Sequence, residues 1–157
     1  MELLRNQALG FARRTIKNLQ CIEQTFTDRK DGHVVTQLMN SMLGLIVFPW
    51  EQKFEDEIKN LMLTDLVAQG WPQFQMEGSK CKTLGDLLRH LRNAIAHREI
   101  KFDSDSRNIY DVSIHLENHW KDKNTKEVKI TWCADIKATE LRAFCFKLFE
   151  HLEKANG

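Results

Sequence analysis

Apolar residues recur at helical spacing through the first part of the chain and alternate with polar ones further on. Leu4, Ala8, Phe11, Leu19, Ile22 and Phe26 repeat with a period near 3.6, which predicts a helix over residues 2–27. "DRKDGH" at 28–33 breaks it. "VVTQLMNSMLGLIVF" at 34–48 is apolar around much of its circumference and predicts a deeply buried second helix, stopped by Pro49. A third helix is expected over 51–69, with Phe54, Ile58 and Leu61 on one stripe. "GWPQFQMEGSKC" at 70–81 predicts an exposed loop, and Thr83 is the expected N-cap of a fourth helix running to about residue 98.

Period-2 alternation then takes over. "YDVSIHLENHW" and "EVKITWCAD" are rich in β-branched and aromatic residues and predict two strands, with "KDKNTK" as their turn. "EIKFD" is a candidate third strand, followed by a turn at "SDSRN". Leu141, Phe144, Cys145, Leu148 and Leu152 share one face of a last helix over about 139–154. The expected fold is mainly α: a four- to five-helix up-and-down bundle, with a small antiparallel sheet inserted before the last helix.

Composition narrows this picture a little. A chain of 157 residues with a formal net charge of +1 suits one domain, with the β-insertion at about 99–134. At 42% apolar and 29% charged it is an ordinary globular composition, and near-neutral charge excludes a protein that coats nucleic acid while leaving room for a local basic patch. Glu2 and Arg5 interrupt the apolar run that a signal peptide needs. The longest apolar stretch, "MLGLIVF", is far short of the roughly 20 residues that cross a bilayer. A cytoplasmic location with no membrane partner is therefore expected. Cys21, Cys81, Cys133 and Cys145 form no C-x-x-C pair, so reduced structural thiols are expected.

"LLRHLRNAIAHREI" at 87–100 carries the candidate chemistry. On a helical wheel Leu84, Leu87, Leu88, Leu91 and Ile95 form a core arc, while Asp86, Arg89, Asn93 and His97 lie opposite, flanked by Arg92. A plain solvated face would explain those charges. Against it, this face selects Arg, Asn and His rather than Lys and Glu, and small Ala94 and Ala96 would let another backbone approach. Residues 80–101 hold six basic residues against two acidic ones, an excess of +4 that leaves −3 for the rest of the chain. A positive patch on a mildly negative body suits an RNA or nucleotide phosphate.

Arg92-Asn93-Ala94-Ile95-Ala96-His97 resembles the R-x4–6-H motif of the HEPN superfamily, including its preference for a polar residue after the arginine. Three allowed spacings alone would match by chance about once in such a chain; requiring asparagine and one spacing lowers this to about 0.02. "VTQLMNSMLGLIVFPWE" at 35–51 is similar to the second helix of a plasmid- and defence-associated HEPN subfamily, which also carries a late β-insertion.

The resemblance implies a metal-independent ribonuclease acting as a homodimer on RNA, by attack of the 2′-OH on the adjacent phosphate. In that role His97 would move protons, Arg92 would hold phosphate oxygens and Asn93 would orient the imidazole or donate to the phosphate. Arg89 and Arg98 are secondary phosphate candidates. The setting implied is a toxin or anti-phage effector with an antitoxin; the alternative is a non-catalytic module that binds nucleotide or RNA or partners a nucleotidyltransferase. A purely structural dimer, with Arg92 and His97 bonding at its interface, is the third reading.

No cofactor and no metal are expected. His115 and His119 lie on one face of a strand, but about 13 Å apart they cannot share an ion without other ligands. His90 has no special claim. Asn40 shares the less apolar arc of the second helix with Gln37, Ser41 and Gly44; a buried asparagine there ordinarily satisfies nearby backbone, or the arc faces the fourth helix and supports the site. Trp50, Trp71, Trp120 and Trp132 are expected to pack, with Trp71 the one suited to base stacking.

Overall fold

The structure, a computed structural model, describes residues 2–26, 33–47 and 58–156. Helix α1 spans Glu2–Phe26 and α2 spans Val34–Met42, running on into a π-helical turn at Leu43–Val47. A short α3 covers Leu63–Ala68, α4 covers Leu84–Ala96 and α5 covers Ala138–Asn156. Four strands, β1 (Gln75–Gly78), β2 (Ile100–Phe102), β3 (Ser113–Lys121) and β4 (Val128–Lys137), form an antiparallel sheet in the order β1-β4-β3-β2. The fold is mainly α with a small antiparallel sheet. Among the described residues no helix is long and apolar enough to cross a membrane.

One core joins helices to sheet. The buried stripe of α1 is Leu9, Ala12, Ile16 and Leu19, whereas Phe11, expected on it, is 36% exposed. Leu38, Met42, Leu45 and Ile46 continue the core from α2 and its π turn, and the expected apolar face of α5, Leu141 to Leu152, is buried. Two carboxylate–guanidinium pairs fasten α5 along α1. Arg142 grips Glu23 with Nε at 2.5 Å and Nη2 at 2.8 Å, and Arg13 Nε donates to Glu153 at 2.6 Å. Sheet pleating turns Ile114 and Leu116 of β3, with Trp132, Ala134 and Ile136 of β4, into this core.

The expected third helix does not run through 58–69. The chain turns at 59–60, and Met62 pairs with Thr83 as an isolated antiparallel bridge. Leu63 N–H donates to Lys82 O at 2.9 Å and Leu84 N–H to Leu61 O at 2.8 Å, so backbone groups that a helix would use internally are spent across to the next segment. Residues 51–57, with Phe54, lie outside the described residues, as does Trp50. The expected loop at 70–81 is also corrected. Trp71 and Phe74 are buried, packing edge-on and tilted against Phe144 at 5.6 and 5.4 Å, and β1 pairs with β4. Four residues carrying a glycine are too short for alternation to show. Gly78 is required there: its φ is +100° and a side chain would strike the Thr131 carbonyl.

Thr83 caps α4 as expected. Its hydroxyl accepts from Asp86 N–H at 3.1 Å while the Asp86 carboxylate accepts from Thr83 N–H at 3.2 Å, a reciprocal capping box. Leu84, Leu87, Leu88 and Leu91 are at most 3% exposed, each contributing about 1.5–3 kcal/mol. Gly85 lets this helix start lie against the 59–60 turn, because a Cβ there would meet Lys59 Cα at 2.7 Å and its carbonyl oxygen at 2.9 Å. Gly85→Ala therefore lowers stability by about 1–3 kcal/mol in urea unfolding, despite a helix-propensity gain of up to about 1 kcal/mol. A more stable variant would show that the turn yields freely.

Candidate functional site at the end of the fourth helix

Helix α4 ends in a pair of backbone bonds that expose its last polar residues. Arg98 N–H reaches Ile95 O at 3.1 Å and Glu99 N–H reaches Ala94 O at 2.9 Å, with Arg98 left-handed at φ +60°. This is a Schellman closure with arginine where glycine is usual. His97 is the C-cap residue and is exposed, as are Ala96 and Arg98. Asn93 and Arg92 are half-buried, and Arg92 Nη2 donates to Asn93 Oδ1 at 3.3 Å. Ala94, expected with Ala96 on an open face, is instead fully buried in the core.

His90, Asn93 and His97 follow one another at i, i+3 and i+7, and all three line a cavity of about 570 Å³. Its other walls are Glu99, then Glu117, Asn118, His119 and Lys121 from β3, and Val128 and Thr131 from β4. Arg89, Arg92 and Arg98 do not line it. Arg89 is exposed and pairs with Asp86 at 3.2 Å. A bulge shapes the floor: Asn118 pairs with Trp132 but His119 pairs with Ile130, which leaves Thr131 over. Thr131 Oγ1 then donates to Asn118 O at 3.1 Å, and bulges of this kind recur beside functional sites.

His90, which had no claim in the sequence, is the hinge between helix and sheet. Its ring stacks on Trp132 at 4.7 Å and 8°, and it is only 8% exposed. Asn118 Nδ2 donates to His90 Nδ1 at 2.9 Å and to His90 O at 3.2 Å, so Nδ1 accepts and Nε2–H donates to Ser79 Oγ at 3.3 Å. Burial, with Arg89 nearby, holds the imidazole below its usual range, consistent with a neutral ring.

A chain of ion pairs crosses the outer face of β3. Asp135 accepts from His115 Nδ1 at 2.7 Å, His115 Nε2 donates to Glu117 Oε1 at 2.9 Å, and His119 Nε2 donates to Glu117 Oε2 at 2.8 Å. His119 Nδ1 lies 3.3 Å from Glu99 Oε1, and Lys101 Nζ stands 3.5 Å from Glu117. The bond to Asp135, then that to Glu117, raises His115 above the ordinary imidazole range, while His119 and His115 hold the Glu117 carboxyl below its own. His115 and His119 thus meet through a carboxylate. Glu99, Glu117 and His119 each bring one donor atom within 4.8 Å of the others, so these residues can hold a cation.

Elsewhere the expectations divide. Asn40 is exposed rather than buried, and its neighbour Gly44 faces α1, where a Cβ would meet Phe11 at 2.8 Å. Contact with α4 runs through the following π turn. Trp71 and Trp132 pack, but Trp120 is 55% exposed. All four cysteines are free; burial pushes Cys145 up to about 12 and Cys81 to about 11, as for inert thiols. Sequence reasoning missed Glu99, Glu117 and Asn118 as site residues. The alternation His115, Glu117, His119 was a readable signal for one face of β3.

A mainly helical body, a small sheet with one strand before α4 and three after it, and R-x4-H closing α4 are set beside known families. The sequence model of the family described as HEPN pEK499 p136 matches residues 1–157, and the chain belongs to that family within the HEPN superfamily. No curated protein and no solved structure matches it.

Two outcomes follow. Acidification protonates the unfolded chain's histidine first, so the His90 contribution is complete above about pH 6.5 and lost as pH falls toward its lower folded value. Between pH 7 and 5, His90→Phe loses less stability than wild type in urea unfolding; equal losses would mean His90 is not held neutral. Arg98→Gly relieves the left-handed strain and raises stability by about 1 kcal/mol, read from the same midpoints.

Proposed function

We propose that the protein is a metal-independent HEPN-type endoribonuclease that cleaves RNA through Arg92, Asn93 and His97. The observation that carries this reading is the convergence of Asn93 and His97 on one cavity at the exposed end of α4, with Arg92 bonded to Asn93 beside it. Attack of a ribose 2′-OH on the adjacent phosphorus forms the 2′,3′-cyclic phosphate and expels the 5′-oxygen. One group takes the 2′-OH proton, another returns a proton to the 5′-oxygen, and a cation stabilises the extra negative charge.

His97 takes one of the proton roles. Arg92 presents a planar fork of donors to the phosphate oxygens, and Asn93 fixes that fork. One chain supplies a single His97, so the reading requires a two-fold dimer that sets two α4 ends together and brings a second His97 to the phosphate. Exposed Ala96 leaves room for the approach. Arg98, and Arg89 once released from Asp86, would contact flanking phosphates. The proposed setting is cytoplasmic, as a toxin or anti-phage effector held in check by an antitoxin.

One observation favours a second reading. Arg92 already has an acceptor in Asn93 within its own chain, which suits a purely structural dimer; a non-catalytic module that binds nucleotide or RNA or partners a nucleotidyltransferase is the other alternative. On the structural-dimer reading Arg92→Ala chiefly lowers thermal stability. The deciding measurement is RNA cleavage in excess EDTA by wild type and His97→Ala, with circular dichroism and light scattering on both. Dimeric wild type should leave cyclic-phosphate ends, and the folded variant should lose at least about a hundredfold in rate, the usual scale of acid–base catalysis. A fully active His97→Ala, or a monomer that cleaves, overturns the assignment.

A further inference from the structure

We infer that Glu99, Glu117 and His119 form a binding site for one divalent transition cation of the Mn²⁺ or Zn²⁺ kind, in the wall of the cavity that contains His97. This departs from the expectation from the sequence that the protein holds no metal. It does not rest on the ribonuclease reading.

Three chain positions meet there: the residue after the α4 closure and two positions on the outer face of β3. Their donor atoms, two carboxylate oxygens and one imidazole nitrogen, all lie within 4.8 Å of one another. Cation ligands at about 2.0–2.2 Å stand roughly 3 Å apart, so closing on an ion needs about an ångström or more from the widest pair. The side chains of Glu99 and His119, 34% and 25% exposed, have that freedom, while Glu117 at 12% is held in place. Imidazole with carboxylates favours a transition cation over Mg²⁺ or Ca²⁺, which prefer oxygen alone.

The surroundings fit an ion's outer shell. His115 Nε2 donates to Glu117 Oε1, and Asp135 in turn holds His115, which leaves Glu117 Oε2 directed to His119. Partners of this kind orient ligating carboxylates in metal sites. The cavity offers volume for the remaining water ligands. Lys101, 3.5 Å from Glu117 and 70% exposed, is free to swing into solvent as the ion enters.

The test uses the full chain, without RNA, titrated with Mn²⁺ and followed by electron paramagnetic resonance and calorimetry. One Mn²⁺ per chain should bind. Glu99→Gln and His119→Ala, both folded by circular dichroism, should each weaken it at least about tenfold, the scale of losing one ligand or its orienter. At a fixed Mn²⁺ concentration Tm should rise less in these variants than in wild type. Absence of saturable binding, or equal affinity in all three proteins as for an adventitious ion only, overturns the site. Because no RNA is present, failure here leaves cleavage in EDTA to be judged separately.

Discussion

The placement of every candidate group depends on one polar bridge in an otherwise apolar seam, the amide of Asn118 donating to both the ring and the carbonyl of His90. Leucines hold α4 against the core, but leucine packing is non-directional and permits the helix to roll. The amide bridge and the flat stack of His90 on Trp132 permit far less. An unmet hydrogen-bonding group buried in that seam costs about 1–3 kcal/mol, which makes the register between helix and strand sharp. With His90 held to the sheet, Asn93 and His97 follow at one and two turns and must point along the same edge.

What they point toward is shaped by charge. The cavity has the imidazoles of His90 and His97 and the amide of Asn93 from the helix on one side and carboxylates from Glu99 and Glu117 on the other, the latter linked by histidines into a chain that reaches Asp135. Such a network keeps buried Glu117 ionised by surrounding it with donors rather than with water. It also means that the helix surface alone does not describe the site. The +4 excess over residues 80–101 comes from side chains that largely face away from the cavity, while the cavity wall itself is mixed in sign.

Much of the fold was legible because local rules decide it. Thr83 starts α4 in the structure as in the sequence, and the alternation of "YDVSIHLENHW" and "EVKITWCAD" yields β3 and β4. The errors arose where distant backbone intervened. Apolar spacing around residue 62 is helical, yet Met62 bridges Thr83, a preference no window around either residue contains. Gly70 and Pro72 read as loop punctuation, yet Trp71 and Phe74 enter the core because α5 offers Phe144 to both.

The site divides in the same way. The sequence by itself determined that Arg92, Asn93 and His97 lie near the end of one amphipathic helix, because a 3.6-residue period and a capped start leave little choice. It also determined that His115, Glu117 and His119 share a strand face, by period two. Only the tertiary structure decided that Asn93 and His97 of the first set and Glu117 and His119 of the second line one cavity, that His90 belongs to the core and that Ala94 is covered. The reason is that a helical wheel gives directions and not neighbours: Trp132 and Asn118 of the sheet cover His90, while His97, on the same line of the helix, is exposed.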